Sequence, residues 1–217
     1  MTTSEIIIGG QSVPLRIAGE RAPIVLTWHD HGISFAAGQG FNKKRKQKID
    51  LAVWHWTGGE QEPPAMADVL KARGYGVEFA IARTGVIYQF CDPLEVDTAD
   101  AAGVNPRSVG TEIVSYGMRS TVEGWKPPKA GLGRPVRKLR IHGVPVEVAA
   151  FHPEQLAAAR ALADGLSRAL GIPRKVPITA AGLVTATHLS PAELAAFKGH
   201  MEAKNWAAAT AAAAKKS

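Results

Sequence analysis

The run Leu51-Ala52-Val53-Trp54-His55-Trp56 is apolar or aromatic except for one imidazole, and it breaks at Thr57-Gly58-Gly59. A short apolar run bounded by a glycine turn reads as a buried strand. The run therefore requires a sheet with a covered core. His55 closes that strand beside a flexible turn, where a rigid element holds a side chain at the edge of a cleft. Metal ligands and catalytic bases are presented this way. So are ordinary packed histidines, and the position alone does not separate the two.

The surrounding pattern alternates strand and helix signals. Ile6–Ile8 and Val13–Ile17 read as strands around Gly9-Gly10, and Ile24–Trp28 as a third. Together they suggest a small N-terminal β appendage with a basic loop, residues 1–45. Pro63-Pro64 opens a helix with Met66, Val69 and Leu70 on one face, closing near Gly74. Val77–Ala82 and Val86–Phe90 form a hairpin across Arg83-Thr84-Gly85. Val109–Ser115 is a core strand, 117–133 a Gly/Pro-rich loop, and Leu139–Val148 a second hairpin turning at Gly143.

Pro153–Leu170 carries Leu156, Ala159, Leu162, Ala163, Leu166 and Leu170 at helical spacing, and Gly171 stops it. Ser190-Pro191-Ala192-Glu193 is a capping box for a last helix with Leu194 and Phe197 inward. The alternation predicts the α/β (α+β) class, a mixed central sheet flanked by helices. The main domain spans 46–206, followed by an Ala/Lys low-complexity tail, 207–217.

The formal net charge is +7 and the hydrophobic share 46%, which excludes global disorder and favours polyanionic partners. Lys43-Lys44-Arg45-Lys46-Gln47-Lys48 reads as a solvated basic loop, and Arg134–Arg140 adds a second cluster. No aromatic interleaving accompanies the first cluster and no reading motif appears, so nucleic acid is not the expected partner. One cysteine, Cys91, excludes an internal disulfide framework and a Cys-rich zinc motif. The first ten residues lack a secretory signal pattern, and no apolar run is long enough to span a membrane. Synthesis in the cytoplasm is the expectation, with release by another factor.

Several segments, in order, resemble the N-acetylmuramoyl-L-alanine amidase superfamily, which includes phage lysozyme-type amidases and peptidoglycan recognition proteins. Val53-Trp54-His55-Trp56-Thr57-Gly58 resembles its first zinc-ligand strand. Phe79–Gln89 resembles its hairpin with the following Tyr-Gln, and Ala101–Asn105 with Ser108–Val114 its next loop and strand. Phe197-Lys198-Gly199-His200 resembles the Gly-His segment bearing the second ligand.

The resemblance implies zinc-dependent hydrolysis of the amide between N-acetylmuramic acid and L-alanine in peptidoglycan. It implies His55 and His200 as metal ligands, Glu112 as general base and Lys204 as an oxyanion stabiliser. Zinc would polarise the carbonyl and supply hydroxide near neutral pH, in a site of three protein ligands and one open position. Glu112 also reads as a structural carboxylate, and Lys204 as a solvent-facing helix lysine.

The chain departs from the pattern in three places. No Asp, Cys or His follows His200, where the family carries its third ligand. Glu202 is too close to His200 in sequence, and His31, His188 or Cys91 stay open as sources. Ala101 and Glu78 stand where relatives often carry histidine. His29-Asp30-His31 has ligand types at i and i+2, which share one face on a strand.

Two functions follow from the resemblance: a cell-wall-degrading amidase of endolysin type, or a catalytically degenerate peptidoglycan-binding module on the same fold. Peptidoglycan, and with it anionic wall polymers, is the expected partner in both. A structural nucleic-acid binder is the third reading, from charge alone.

Overall fold

The computed structural model describes residues 3–19, 21–115, 118–119, 136–141, 144–178 and 189–202, with 118–119, 136–141 and 144–146 described as backbone. The chain opens with β1 (Glu5–Ile8) and β2 (Gln11–Pro14), an antiparallel hairpin. Its turn needs glycine at both Gly9 and Gly10, whose φ values are 61° and 72°. Asp92 ties the turn down, accepting from both glycine N–H groups. There follow β3 (Val25–Leu26), α1 (Trp28–His31), β4 (Lys43–Lys44), β5 (Leu51–Trp56) and α2 (Pro63–Ala72).

The middle of the chain forms β6 (Phe79–Ile81), β7 (Ile87–Gln89), β8 (Val96–Asp97) and β9 (Ser108–Ile113). Beyond it lie β10 (Met118–Arg119), β11 (Val136–Ile141), β12 (Val144–Ala149), α3 (Pro153–Leu170), α4 (Pro191–Ala196) and β13 (Gly199–Glu202).

Six strands make the central sheet in the order β13-β5-β9-β6-β7-β3. The pairs β13/β5, β5/β9, β9/β6 and β7/β3 are parallel, and β6/β7 is antiparallel, so the sheet is mixed as expected. Strand β5 lies inside it and is covered on both faces. Ala52 packs in the core under α3 with Leu162 and Leu166, whereas Leu51 and Val53 pack with Leu194 of α4 and Met201. Helix α2 covers the same side as α4, through Met66 and Ala67 against Ala80 and Phe90. This two-sided burial is why the run reads apolar at almost every position.

The N-terminal strands pack against the central sheet and α3. Strand β3 is the edge of the central sheet, and Ile6, Ile8 and Leu15 are buried with α3 in one core. Helix α3 meets them with small residues: a Cβ on Gly165 would fall 2.3 Å from Leu15 Cδ2. The buried face is accordingly centred on Ala158, Ala161, Leu162, Gly165 and Leu166, and Leu156 is left 44% exposed, contrary to expectation. Val69 of α2 is likewise exposed. His29-Asp30-His31 lies on one helical turn, not on a strand, because Thr27 and Asp30 cap it reciprocally.

The Ser190 cap and the inward Leu194 stand as expected. The tail and most of the 117–133 loop lie outside the described residues. No helix among the described residues is long and apolar enough to cross a membrane.

Leu162, fully buried where α3 meets the sheet, tests this core. Leu162→Ala is expected to lower unfolding free energy by about 2–5 kcal/mol in urea titration. A loss below ~1 kcal/mol would mean that α3 does not seal the sheet.

Candidate active site

The register of β5 against β9 sets His55 beside Glu112, and that of β9 against β6 sets Glu112 beside Ala80. Partnered residues on neighbouring strands share a face, so the imidazole and the carboxylate emerge together on the α2 side. Asp100 enters from the loop before β9. Its Oδ2 lies 3.2 Å from His55 Nε2, and its Oδ1 accepts from Thr98 Oγ1 at 3.3 Å. Glu112 Oε2 is buried and has no hydrogen-bond partner. Leaving such a group unpaired costs about 1–3 kcal/mol.

Glu78 lies deeper, fully buried. It accepts from Arg45 Nη2 at 2.8 Å and from the Gly110 N–H at 2.7 Å. Arg45 is not a solvated loop cation. It is 8% exposed, and it also donates to the carbonyls of Pro93, Val96 and Asn105. The flanking Lys43 and Lys44 are exposed, in a two-residue strand paired with β8.

Burial and the Asp100 carboxylate together push Glu78 from an ordinary 4.5 up to about 7, against the pull of Arg45. Burial raises Glu112 too, partly offset by His55. For His55 burial works against the charge. The Asp100 hydrogen bond and the Glu112, Asp100 and Glu78 carboxylates outweigh it, and its pKa is raised.

His200 does not join this cluster. It is partnered with Ala52, three residues before His55, so the two imidazoles leave opposite faces of the sheet. On the α3 side its Nε2 lies 2.9 Å from Ser167 Oγ, and its Nδ1 accepts from Trp54 Nε1–H at 3.3 Å. An indole N–H only donates, so Nδ1 is bare and Nε2 carries the proton, donated to Ser167. Burial and Arg174 lower its pKa and keep it neutral. This tautomer also rules out Ser167 as a nucleophile activated by His200, because the nitrogen facing the hydroxyl is already protonated. A groove of about 650 Å³ opens on this side, lined by Trp54, Trp56, Phe151, Leu156, Arg174 and His200, and also bordered by His55.

The expected zinc site can be judged on these donors. The ring nitrogens of His200 are engaged within the protein, on the wrong face. Cys91 is buried, its thiol pushed well up by burial and by Glu78. His31 bonds the Gln89 carbonyl and the Ile33 N–H. Lys204 and His188 lie outside the described residues. Among the described residues, no three His, Cys, Asp or Glu side chains converge as the ligands of one metal ion do. The described donors, as arranged, do not fit zinc, and the His55–His200 pairing implied by resemblance is not formed. Asp100 is not among the candidate residues read from the sequence. Its one sequence signal is Gly110, a glycine inside a core strand, which marks a close approach.

The N-acetylmuramoyl-L-alanine amidase family model matches residues 45–210. The chain belongs to that family. A search of curated protein sequences finds no match. Among solved structures it is similar to the endolysin N-acetylmuramoyl-L-alanine amidase LysCS from Clostridium intestinale (15% identity, 86% of this chain and 85% of that chain, TM-score 0.45). It is also similar to the Drosophila peptidoglycan recognition protein PGRP-SA (12%, 82% and 94%, TM-score 0.45). A third is a Drosophila PGRP-LB variant in complex with tracheal cytotoxin (18%, 82% and 82%, TM-score 0.41).

The charge cluster has a pH signature. With its pKa raised from 4.5 to about 7, Glu78 holds a proton in the folded state that the unfolded chain has released. Its contribution to stability is therefore present at acid pH and is lost as pH rises through about 7. His55 and Glu112 carry the same sign. Glu78→Gln is expected to flatten, without abolishing, the fall of unfolding free energy across that window. An unchanged slope in urea titrations at a series of pH values would remove Glu78 from the cluster's electrostatics.

Proposed function

We propose that the protein hydrolyses the amide between N-acetylmuramic acid and L-alanine in peptidoglycan, with His55 and Glu112 handling the protons. Membership of the amidase family supports the bond and the polymer. The observation that carries the residue assignment is the buried, unpartnered Glu112 Oε2 beside His55. A carboxylate and an imidazole held side by side can serve as base and acid for one bond.

In this reading Glu112 takes the proton of the attacking water as the new C–O bond forms at the muramoyl carbonyl. His55 gives a proton to the departing nitrogen of L-alanine as the C–N bond breaks. The products are a muramic carboxylic acid and a free stem-peptide amine. Lys204 keeps, by resemblance alone, the role of steadying the oxyanion. The net charge of +7 favours an anionic wall, and action there would follow release from the cytoplasm.

A second reading is a binding module that holds peptidoglycan without cutting it. It is favoured by the internal capture of both His200 nitrogens and by the absence of Asp, Cys or His after His200.

Purified sacculi separate the two. The amidase reading expects stem peptides with free L-alanine amines by mass spectrometry, release slowed at least ~100-fold in His55→Ala, and slower release in Glu112→Gln with wall sedimentation unchanged. Wall sedimentation by the wild type without release supports the binding module. Neither sedimentation nor release sinks both. Elemental analysis of the purified protein reads zinc directly.

A further inference from the structure

We infer that Asp100 is the positioning residue that fixes the tautomer and aim of His55, and that position 110 is glycine so that the Asp100 carboxylate can lie against β9. The functional half of this rests on the reading of His55 as the reacting imidazole; the structural half does not.

Three observations converge. First, Asp100 Oδ2 lies 3.2 Å from His55 Nε2, with the two side chains 6% and 11% exposed. An ionised carboxylate only accepts, so the nitrogen facing it carries a proton. His55 Nε2 is thereby the protonated nitrogen of the neutral ring. Second, the other carboxylate oxygen accepts from Thr98 Oγ1, so the group is held at both ends.

Third, a Cβ built on Gly110 would lie 2.0 Å from Asp100 Oδ2 and 2.5 Å from its Cγ, far inside any real contact. Gly110 is two residues before Glu112 on the same face of β9, and its N–H is held by Glu78. The strand therefore cannot retreat to make room. Any side chain at 110 evicts the Asp100 carboxylate from its place beside His55. Asp100 itself need not touch substrate: its effect runs through the imidazole, as an acidic partner commonly orients a reacting histidine.

A purely structural Asp100–His55 pair would also explain the burial, so the test must read the ring itself. The full chain is labelled with 15N-histidine. Long-range proton–nitrogen correlation spectra are recorded at a pH where the imidazoles are neutral, His55 being assigned by its loss in His55→Ala. The wild type is expected to hold His55 as the Nε2–H tautomer. Asp100→Ala is expected to release it to a mixture. Gly110→Ala should do the same with Asp100 intact, and the double variant should go no further than either single one.

On sacculi, Asp100→Ala is expected to lower kcat by at least ~10-fold with KM little changed. A wild-type His55 found as the Nδ1–H tautomer overturns the inference without need of any variant. So does an unchanged tautomer in Asp100→Ala. A shifted tautomer in a protein that never cuts peptidoglycan leaves the positioning role standing and sinks only the hydrolase reading.

Discussion

Side-chain alternation along β5 and its parallel neighbours decides what this molecule can do. In a strand the period is two, so one residue of offset moves a side chain to the other face. His55 shares the parity of Leu51 and Val53 and emerges with Glu112; His200 is registered on Ala52 and emerges under α3 with Trp54. The two histidines lie on adjacent strands with opposite parity, and each ring has its own partners, Asp100 for His55 and Ser167 with Trp54 for His200. No side-chain rotamer reverses that. Only a register slip of β13 would, and Met201, packed against Leu51 and Val53, opposes one.

A second constraint is the buried guanidinium of Arg45. Its donors reach a carboxylate and three carbonyls from separate segments, so one side chain ties the approach to β5, the strand end at Glu78 and the β8 loop together. Such a pair is not evidence of high stability, because desolvating two charges offsets much of their attraction. Its value is in fixing an arrangement: with Arg45 in place, Glu78 can stand beside the Gly110 N–H and close to Asp100. The positive charge of this stretch is thus divided between exposed lysines and an internal tie.

The fold was largely legible because its signals are local. The apolar run of β5, the helical spacing of α3, the Gly9-Gly10 turn and the Ser190 capping box each state their own structure within a few residues. What could not be read depended on partners far away in sequence. Leu15 against Gly165 absorbs the N-terminal hairpin into the main core, and nothing within residues 1–45 announces that. Arg45 looked like its lysine neighbours until Glu78 came within reach. Motif position singled out His55 and Glu112, which the register of β5 and β9 sets side by side, whereas Asp100, which meets His55 in space, carries no comparable local signal, because a carboxylate in a loop normally serves a turn. The His55–His200 pairing failed because motif order conveys which strands are neighbours and says nothing about which face a side chain takes.

The two histidine environments differ in what remains unsatisfied. Around His200 the accounts are closed: one nitrogen accepts, the other donates, the ring is neutral and buried, and the arrangement gains nothing from a further ligand. Beside His55, Glu112 keeps a buried oxygen without a donor, while two more carboxylates, Asp100 and Glu78, stand nearby. Replacing Glu112 by an apolar residue would relieve that cost of about 1–3 kcal/mol. Buried polar groups that violate packing rules in this way concentrate at sites of function. The proposed chemistry is therefore placed on the α2 face, beside the buried Glu112 carboxylate.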